Sequence, residues 1–292
     1  YLSKDWKLIQ TPLCETSLCV ALQKEPEALP CTLPCDVRMP LIAAGLIRDP
    51  VLADYCYESE WIEQRAWWFV RRFSLDSEQL CPPLAELTIT GIDAFGEIYL
   101  NGTRIGIHES AFCPFSAQVR PLLREGENIL AVRVTSGLER VSDSDLAQID
   151  FLVSTEEGNG CPQRGDKRRA FVRKPQYSVG WAWGPRVVSC GLTGGASLRL
   201  YGAATIRGAN LVTTLLPQAA AVDFFVEAEW FDPVASADAE LCVRFLYDGE
   251  SVACWQDNDC LLLSGDNCLQ GRVIIDRPQL WWPNGMGKPN LY

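Results

Sequence analysis

The chain has 292 residues, 48% apolar and 22% charged, a composition able to bury a sizeable core. At roughly 150 residues per domain, that length suggests two domains. Lys and Arg number 26 against 37 Asp and Glu, a formal charge of −11; such a chain repels nucleic acid and anionic membranes, and no apolar run reaches the roughly 18 residues of a membrane span.

Strand signals dominate in chain order. The one helical stretch expected is short, from Met39 to Leu46. Trp67-Trp68-Phe69-Val70-Arg71-Arg72-Phe73 reads as an aromatic-rich strand ending at the Asp76-Ser77 turn. Leu87 to Thr90 follows the Pro82-Pro83 break, and Glu97 to Leu100 then runs into Asn101-Gly102 and Thr103-Arg104-Ile105. Asn-Gly between two such runs predicts a hairpin, because both residues tolerate the positive φ of a type I′ turn. Asn101-Gly102-Thr103 also fits a glycosylation sequon, but the hairpin explains the same residues. After a turn at Arg124 to Glu127, Ile129 to Val134 alternates as a strand. The pattern then dissolves from Ser136 to Arg169. Asp143, Asp145, Asp150, Glu156 and Glu157 give way there to Gly158-Asn159-Gly160, then to Arg164, Lys167, Arg168 and Arg169. Both charge clusters read as solvated loop faces. A domain boundary is expected at Gly202-Ala203, dividing the chain into residues 1–202 and 203–292. Beyond it, Asp223 to Trp230, Glu240 to Tyr247, Ser251 to Trp255 and Gly271 to Ile275 read as strands, with a hairpin at Asp248-Gly249. About 90 residues approach the roughly 100 of an immunoglobulin-like sandwich, so this second domain is expected to be nearly complete, its last strand cut at Leu291-Tyr292. The fold class expected is all-β, two sandwiches in series.

The thirteen cysteines include no C-x-x-C pair; Cys31-x₃-Cys35 and Cys14-x₄-Cys19 are the tightest spacings. With His108 as the single histidine, no metal site is expected, and no cofactor. A chain with an adequate core has little need of a disulfide framework. The cysteines are therefore expected as reduced, buried thiols in a cytoplasmic protein; a secreted or periplasmic location stays open, because the sequence starts at Tyr1 rather than Met.

No nucleophile elbow, phosphate loop or Rossmann fingerprint is present, and no carboxylate pair is marked as an acid/base couple. His108 beside Glu109 reads as structural. Ten tryptophans stand out, and indole faces stack on sugar C–H surfaces. Trp67 and Trp230 read as core. Gly180-Trp181-Ala182-Trp183-Gly184-Pro185 instead describes a tight loop presenting two indoles, with Arg173 and Lys174 upstream as hydrogen-bond donors to hydroxyls or a carboxylate. Packing is the alternative role for this loop.

The segment Arg173-Lys174-Pro175-Gln176-Tyr177-Ser178-Val179-Gly180-Trp181-Ala182-Trp183-Gly184-Pro185-Arg186 resembles the signature of β-mannosidases of glycoside hydrolase family 2. Asp49-Pro50 with Trp61-Ile62, Leu87 to Gly102, Ala111-Phe112-Cys113-Pro114-Phe115 and Pro278 to Gly285 resemble other family stretches, in family order along the whole chain. The resemblance implies an N-terminal jelly-roll (galactose-binding-like) sandwich, then an immunoglobulin-like domain. A TIM barrel carrying the two carboxylates of a retaining mechanism would follow, and it is absent from this sequence. The chain would be the non-catalytic front of an exo-glycosidase. Trp181, Trp183, Arg173 and Lys174 would form one wall of the terminal-sugar subsite, with the carbohydrate and the missing barrel as partners. The alternative is a carbohydrate-binding or purely structural module without a hydrolytic role. The sequence departs from the family at Ala182, where the motif has Asp, at Val51 and Leu52 in place of tyrosines, and at Tyr55 in place of asparagine. Losing a carboxylate that pairs with sugar hydroxyls costs about 1–3 kcal/mol.

Overall fold

A computed structural model describes residues 1–149, 166–180, 184–231 and 236–292. Two compact units divide the chain, Tyr1–Leu200 and Tyr201–Tyr292. The strands of the first are β1 (Trp6–Pro12), β2 (Leu29–Cys31), β3 (Cys35–Asp36), β4 (Arg65–Leu75), β5 (Leu84–Ile89), β6 (Phe95–Leu100), β7 (Thr103–His108), β8 (Phe115–Gln118), β9 (Gly126–Thr135), β10 (Gly191–Leu192) and β11 (Ala196–Tyr201). An antiparallel sheet in the order β2-β1-β4-β9-β6-β7 supplies one layer, and β11-β5-β8 with the pair β10-β3 supplies the other. This is a jelly-roll sandwich. The expected helical stretch forms a short helix at Arg38–Ala43.

The continuous apolar run in β4 has a direct cause. Ala66 to Val70 are all buried because this inner strand is covered on both faces. Trp67 and Phe69 join Leu8, Leu87, Ile98 and Val132 in the main core, while Trp68 and Val70 pack on the opposite side with Ile9, Ala21 and Ala131. Each buried indole satisfies its N–H: Trp67 donates to the Ile62 carbonyl at 3.0 Å and Trp68 to Thr11 Oγ1 at 3.2 Å. The β6–β7 hairpin turns at Asn101 and Gly102, with φ of 50° and 87°. The Asn101 side-chain nitrogen donates to the Leu122 carbonyl and to Asn128 Oδ1, both at 2.8 Å, so the sequon amide is engaged in holding the turn.

The second unit is an immunoglobulin-like β-sandwich. Its strands are β12 (Ala204–Leu215), β13 (Ala219–Trp230), β14 (Ala237–Tyr247), β15 (Glu250–Leu262) and β16 (Gly265–Asp276). The sheet β12-β13-β16 lies in one layer and β14-β15 in the other. Asp248 and Gly249 take φ of 49° and 85° in the β14–β15 turn. Val222, Phe224 and Val226 meet Leu241, Phe245, Val273 and Ile275 in the core. Trp230, at the end of β13, is half-buried. The Phe224 ring meets Trp255 edge-on, with centroids 5.0 Å apart at 71°. Gly271 stands opposite Phe224 in the register, and a Cβ there would lie 2.4 Å from Phe224 Cζ and 2.8 Å from Trp255 Cε2. The glycine makes the room for this aromatic pair. Gly271→Ala should therefore cost about 1–3 kcal/mol by overpacking, read from urea unfolding. Adding Phe224→Leu to that chain should recover part of the loss, although Phe224→Leu alone destabilises.

Candidate functional site

The segment after Asp166 is built from short turns locked to the jelly-roll by charge. Asp166 caps the 3₁₀ turn Lys167–Phe171, accepting the Arg168 backbone N–H at 3.0 Å. The chain then runs beside the end of β7: Ser110 and Arg173 form a parallel bridge, and the Ala111 N–H donates to the Arg173 carbonyl at 2.8 Å. A second 3₁₀ turn, Gln176–Val179, follows and ends at Gly180, whose φ of 98° suits a glycine. The Arg169 guanidinium donates to the Gly180 carbonyl at 3.1 Å, fixing one stem of the indole loop. Arg186 fixes the other with a bidentate pair to Glu63, both distances 2.8 Å, and reaches Asp166 at 3.6 Å. Trp181, Ala182 and Trp183 lie outside the described residues.

Arg173 and Lys174 part company. Arg173 is exposed, beside Glu109 at the edge of a depression of about 390 Å³, and has no ion pair among the described residues. Lys174 is turned inward with 0% of its side chain exposed. Its ammonium lies 3.0 Å from Asp93 Oδ1 and donates to the Ser189 carbonyl at 2.5 Å. The expectation that Lys174 donates to a sugar is thereby corrected: its charge is spent inside the protein. Asp93 is held in turn by the Ser189 hydroxyl, which donates to Oδ2 at 2.5 Å, and by backbone hydrogen bonds exchanged with Gly191 at 2.9 and 3.0 Å. Close by, Asp36 accepts the Cys190 N–H at 2.9 Å and pairs with Arg38. Burial pushes the enclosed Cys190 thiol up from its ordinary range.

These locks shape a mostly apolar cleft of about 630 Å³ bordered by Val51, Asp93, Ala111, Tyr177, Pro185 and Ser189. Val51 and Tyr177 project into solvent, 71% and 68% exposed. Arg173 does not line this cleft, although Ala111, which donates its N–H to the Arg173 carbonyl, does. Sequence reasoning passed over Asp93, Glu63 and Asp166. The signal for Asp93 was an acid inside the apolar stretch Ile92-Asp93-Ala94-Phe95, which calls for a buried cation. His108 is buried, its Nε2 against the Ser110 carbonyl, as suits a structural residue. Among the described residues no three His, Cys, Asp or Glu side chains converge to hold a metal ion.

Removing one member of a buried ion pair strands the other charge. Lys174→Met should cost about 3–5 kcal/mol in urea unfolding, and the double variant with Asp93→Ala should be more stable than that single one. The pH response follows from Asp166. Burial alone would raise its carboxyl, but the side-chain and backbone hydrogen bonds from Arg168, the former through Nε at 2.9 Å, together with the charges of Arg168 and Arg186 hold it below its ordinary 3.8. A lowered folded value means stabilisation that is complete above 3.8 and disappears as pH falls through the folded value. The difference in unfolding free energy between the native chain and Asp166→Asn should therefore be constant near neutrality and shrink in acid.

The family model described as the glycosyl hydrolase 2 galactose-binding domain-like domain matches residues 19–194. A probable β-mannosidase of Caenorhabditis elegans is 25% identical over 281 residues, covering 89% of this chain and 29% of that protein. β-Mannosidase B of Thermothelomyces thermophilus is 28% identical over 270 residues, with 89% and 28% covered. The crystal structure of the β-D-mannosidase of Dictyoglomus thermophilum superposes with a TM-score of 0.74 at 26% identity, over 99% of this chain and 32% of that one. An exo-chitosanase of Amycolatopsis orientalis, at 15% identity and a TM-score of 0.66, shares the fold. The chain thus spans under a third of the length of these relatives. With more than half of its residues matched by the family model, it belongs to the glycosyl hydrolase 2 galactose-binding domain-like family.

Proposed function

We propose that this chain is the non-catalytic N-terminal part of a β-mannosidase-like exo-glycosidase, and that its Gly180–Gly184 loop helps hold the terminal sugar of a β-glycoside. The reading rests on one observation above the others: the likeness to β-mannosidases runs over 89% of this chain but 29% of a relative. In those remaining residues the proposal places a barrel with the two carboxylates of a retaining mechanism. The jelly-roll would contribute one wall. Trp181 and Trp183 would supply stacking faces, and Arg173, exposed and with no ion pair among the described residues, a charged donor to hydroxyls. Lys174 would act at one remove, through the Asp93 pair that seats the loop stem.

Ala182 gives this wall no carboxylate. Recognition would then depend on stacking and on Arg173, which favours a broad class of β-glycosides over a strict preference for mannose. A protein comprising this chain and the following domain should hydrolyse aryl β-glycosides with retention at the anomeric carbon. Arg173→Ala should lower its kcat/KM about tenfold or more, the worth of a charge-assisted hydrogen bond. The isolated 292 residues should hydrolyse nothing and give no calorimetric heat with millimolar mannose, since half a subsite yields little affinity. No turnover of any aryl β-glycoside by the longer protein would overturn the reading.

A further inference from the structure

Twelve cysteines fall within the described residues, and all are free thiols. Cys31 and Cys35 interact through their side chains, but the first is half-buried and the second buried; one other pair is exposed. On the exposed face of β14 and β15, Cys242 Sγ and Cys254 Sγ lie 3.8 Å from each other. The register explains the meeting. Cys242 faces Gln256 and Arg244 faces Cys254, so the two cysteines are diagonal neighbours on one side of an antiparallel pair. Alternate residues of both strands, Val243, Phe245, Ala253 and Trp255, point the other way into the core. That packing holds the backbone under the thiols in place. We propose that Cys242 and Cys254 form a dithiol modification site, which a low-molecular-weight disulfide such as oxidised glutathione converts into an intramolecular cystine.

The chemistry balances. One cysteine thiolate attacks a sulfur of oxidised glutathione, forming a mixed disulfide and releasing one glutathione thiolate. The second cysteine thiolate attacks the protein sulfur of that mixed disulfide, forming the Cys242–Cys254 bond and releasing the second glutathione. The two cysteines lose two protons and two electrons; the glutathione disulfide takes up the electrons, and the two released glutathione thiolates take up the protons. Closing the bond requires the sulfurs to approach by about 1.8 Å, from 3.8 Å to a disulfide length, with the two strands drawing together where the diagonal separation demands it. A neighbour this close should resolve the mixed disulfide before glutathione accumulates. The other exposed thiols, such as Cys81, Cys113 and Cys268, have no sulfur partner among the described residues and should stop at the mixed disulfide. The site owes nothing to the glycosidase reading and lies in the second unit.

The test is to incubate the 292-residue chain with oxidised glutathione, block remaining thiols, and map the cysteine peptides by mass spectrometry without reduction. The expected product is a single linked peptide pair, Cys242 with Cys254, lighter by two hydrogens. Cys242→Ser should abolish it and leave Cys254 carrying glutathione, whereas Cys14→Ser with Cys19→Ser should leave the bridge intact. A trivalent arsenical, phenylarsine oxide, gives a second readout: one equivalent should protect both thiols from alkylation in the native chain and neither in Cys242→Ser. Stable glutathione adducts on Cys242 and Cys254 together, or a bridge from either to another cysteine, would overturn the proposal.

Discussion

An ammonium with no access to water must have its charge answered within the protein, and Lys174 has Asp93 for that purpose. The pairing constrains much of the first unit. Asp93 is tied by its backbone to Gly191 and by its carboxylate to Lys174 and Ser189, so one carboxylate joins the segment before the indole loop to the segment after it. Gly191 can pair closely with β3 because it lacks a side chain; a Cβ there would lie 2.2 Å from the Cys35 carbonyl oxygen. The outer lock, Arg186 with Glu63 and Asp166, repeats the device where the loop leaves the sandwich. Apolar burial builds the layers. Buried charge sets the course of the chain between them.

Much of the fold was legible in the sequence because its strands obey simple rules. Inner strands such as β4 and β9 show apolar runs, strands facing one core alternate as β5 and β14 do, and Asn101-Gly102 and Asp248-Gly249 mark their turns with residues that accept positive φ. The strand β12 escaped because its residues are nearly all exposed, Leu211, Val212 and Leu215 included, which leaves no burial pattern to read. The strand β1 escaped for a different reason. It is short and covered on both faces, with Trp6 and Leu8 in one core and Ile9 in the other, so its seven residues carry no period.

The candidate site was half legible. Two adjacent basic residues look alike in sequence, but at a β-bridge successive side chains point to opposite sides. The bridge from Ser110 to Arg173 therefore sends one cation outward and the next inward. Only the position of Asp93 decides which is which, and Asp93 is eighty residues earlier in the chain.

The same locks bear on how such a wall can recognise a ligand. The chain on either side of the loop is pinned, by Arg169 at Gly180 and by Arg186 with Glu63 just after Gly184. Where an acidic side chain would accept hydrogen bonds from hydroxyls, Ala182 offers a methyl group, and the adjoining cleft presents Val51, Tyr177 and Pro185. In the proposed role, pre-organised stems and an apolar border favour ring faces over hydroxyl patterns. Shape and stacking then select the ligand class at this wall, and the stereochemistry of individual hydroxyls must be read by groups elsewhere in the subsite.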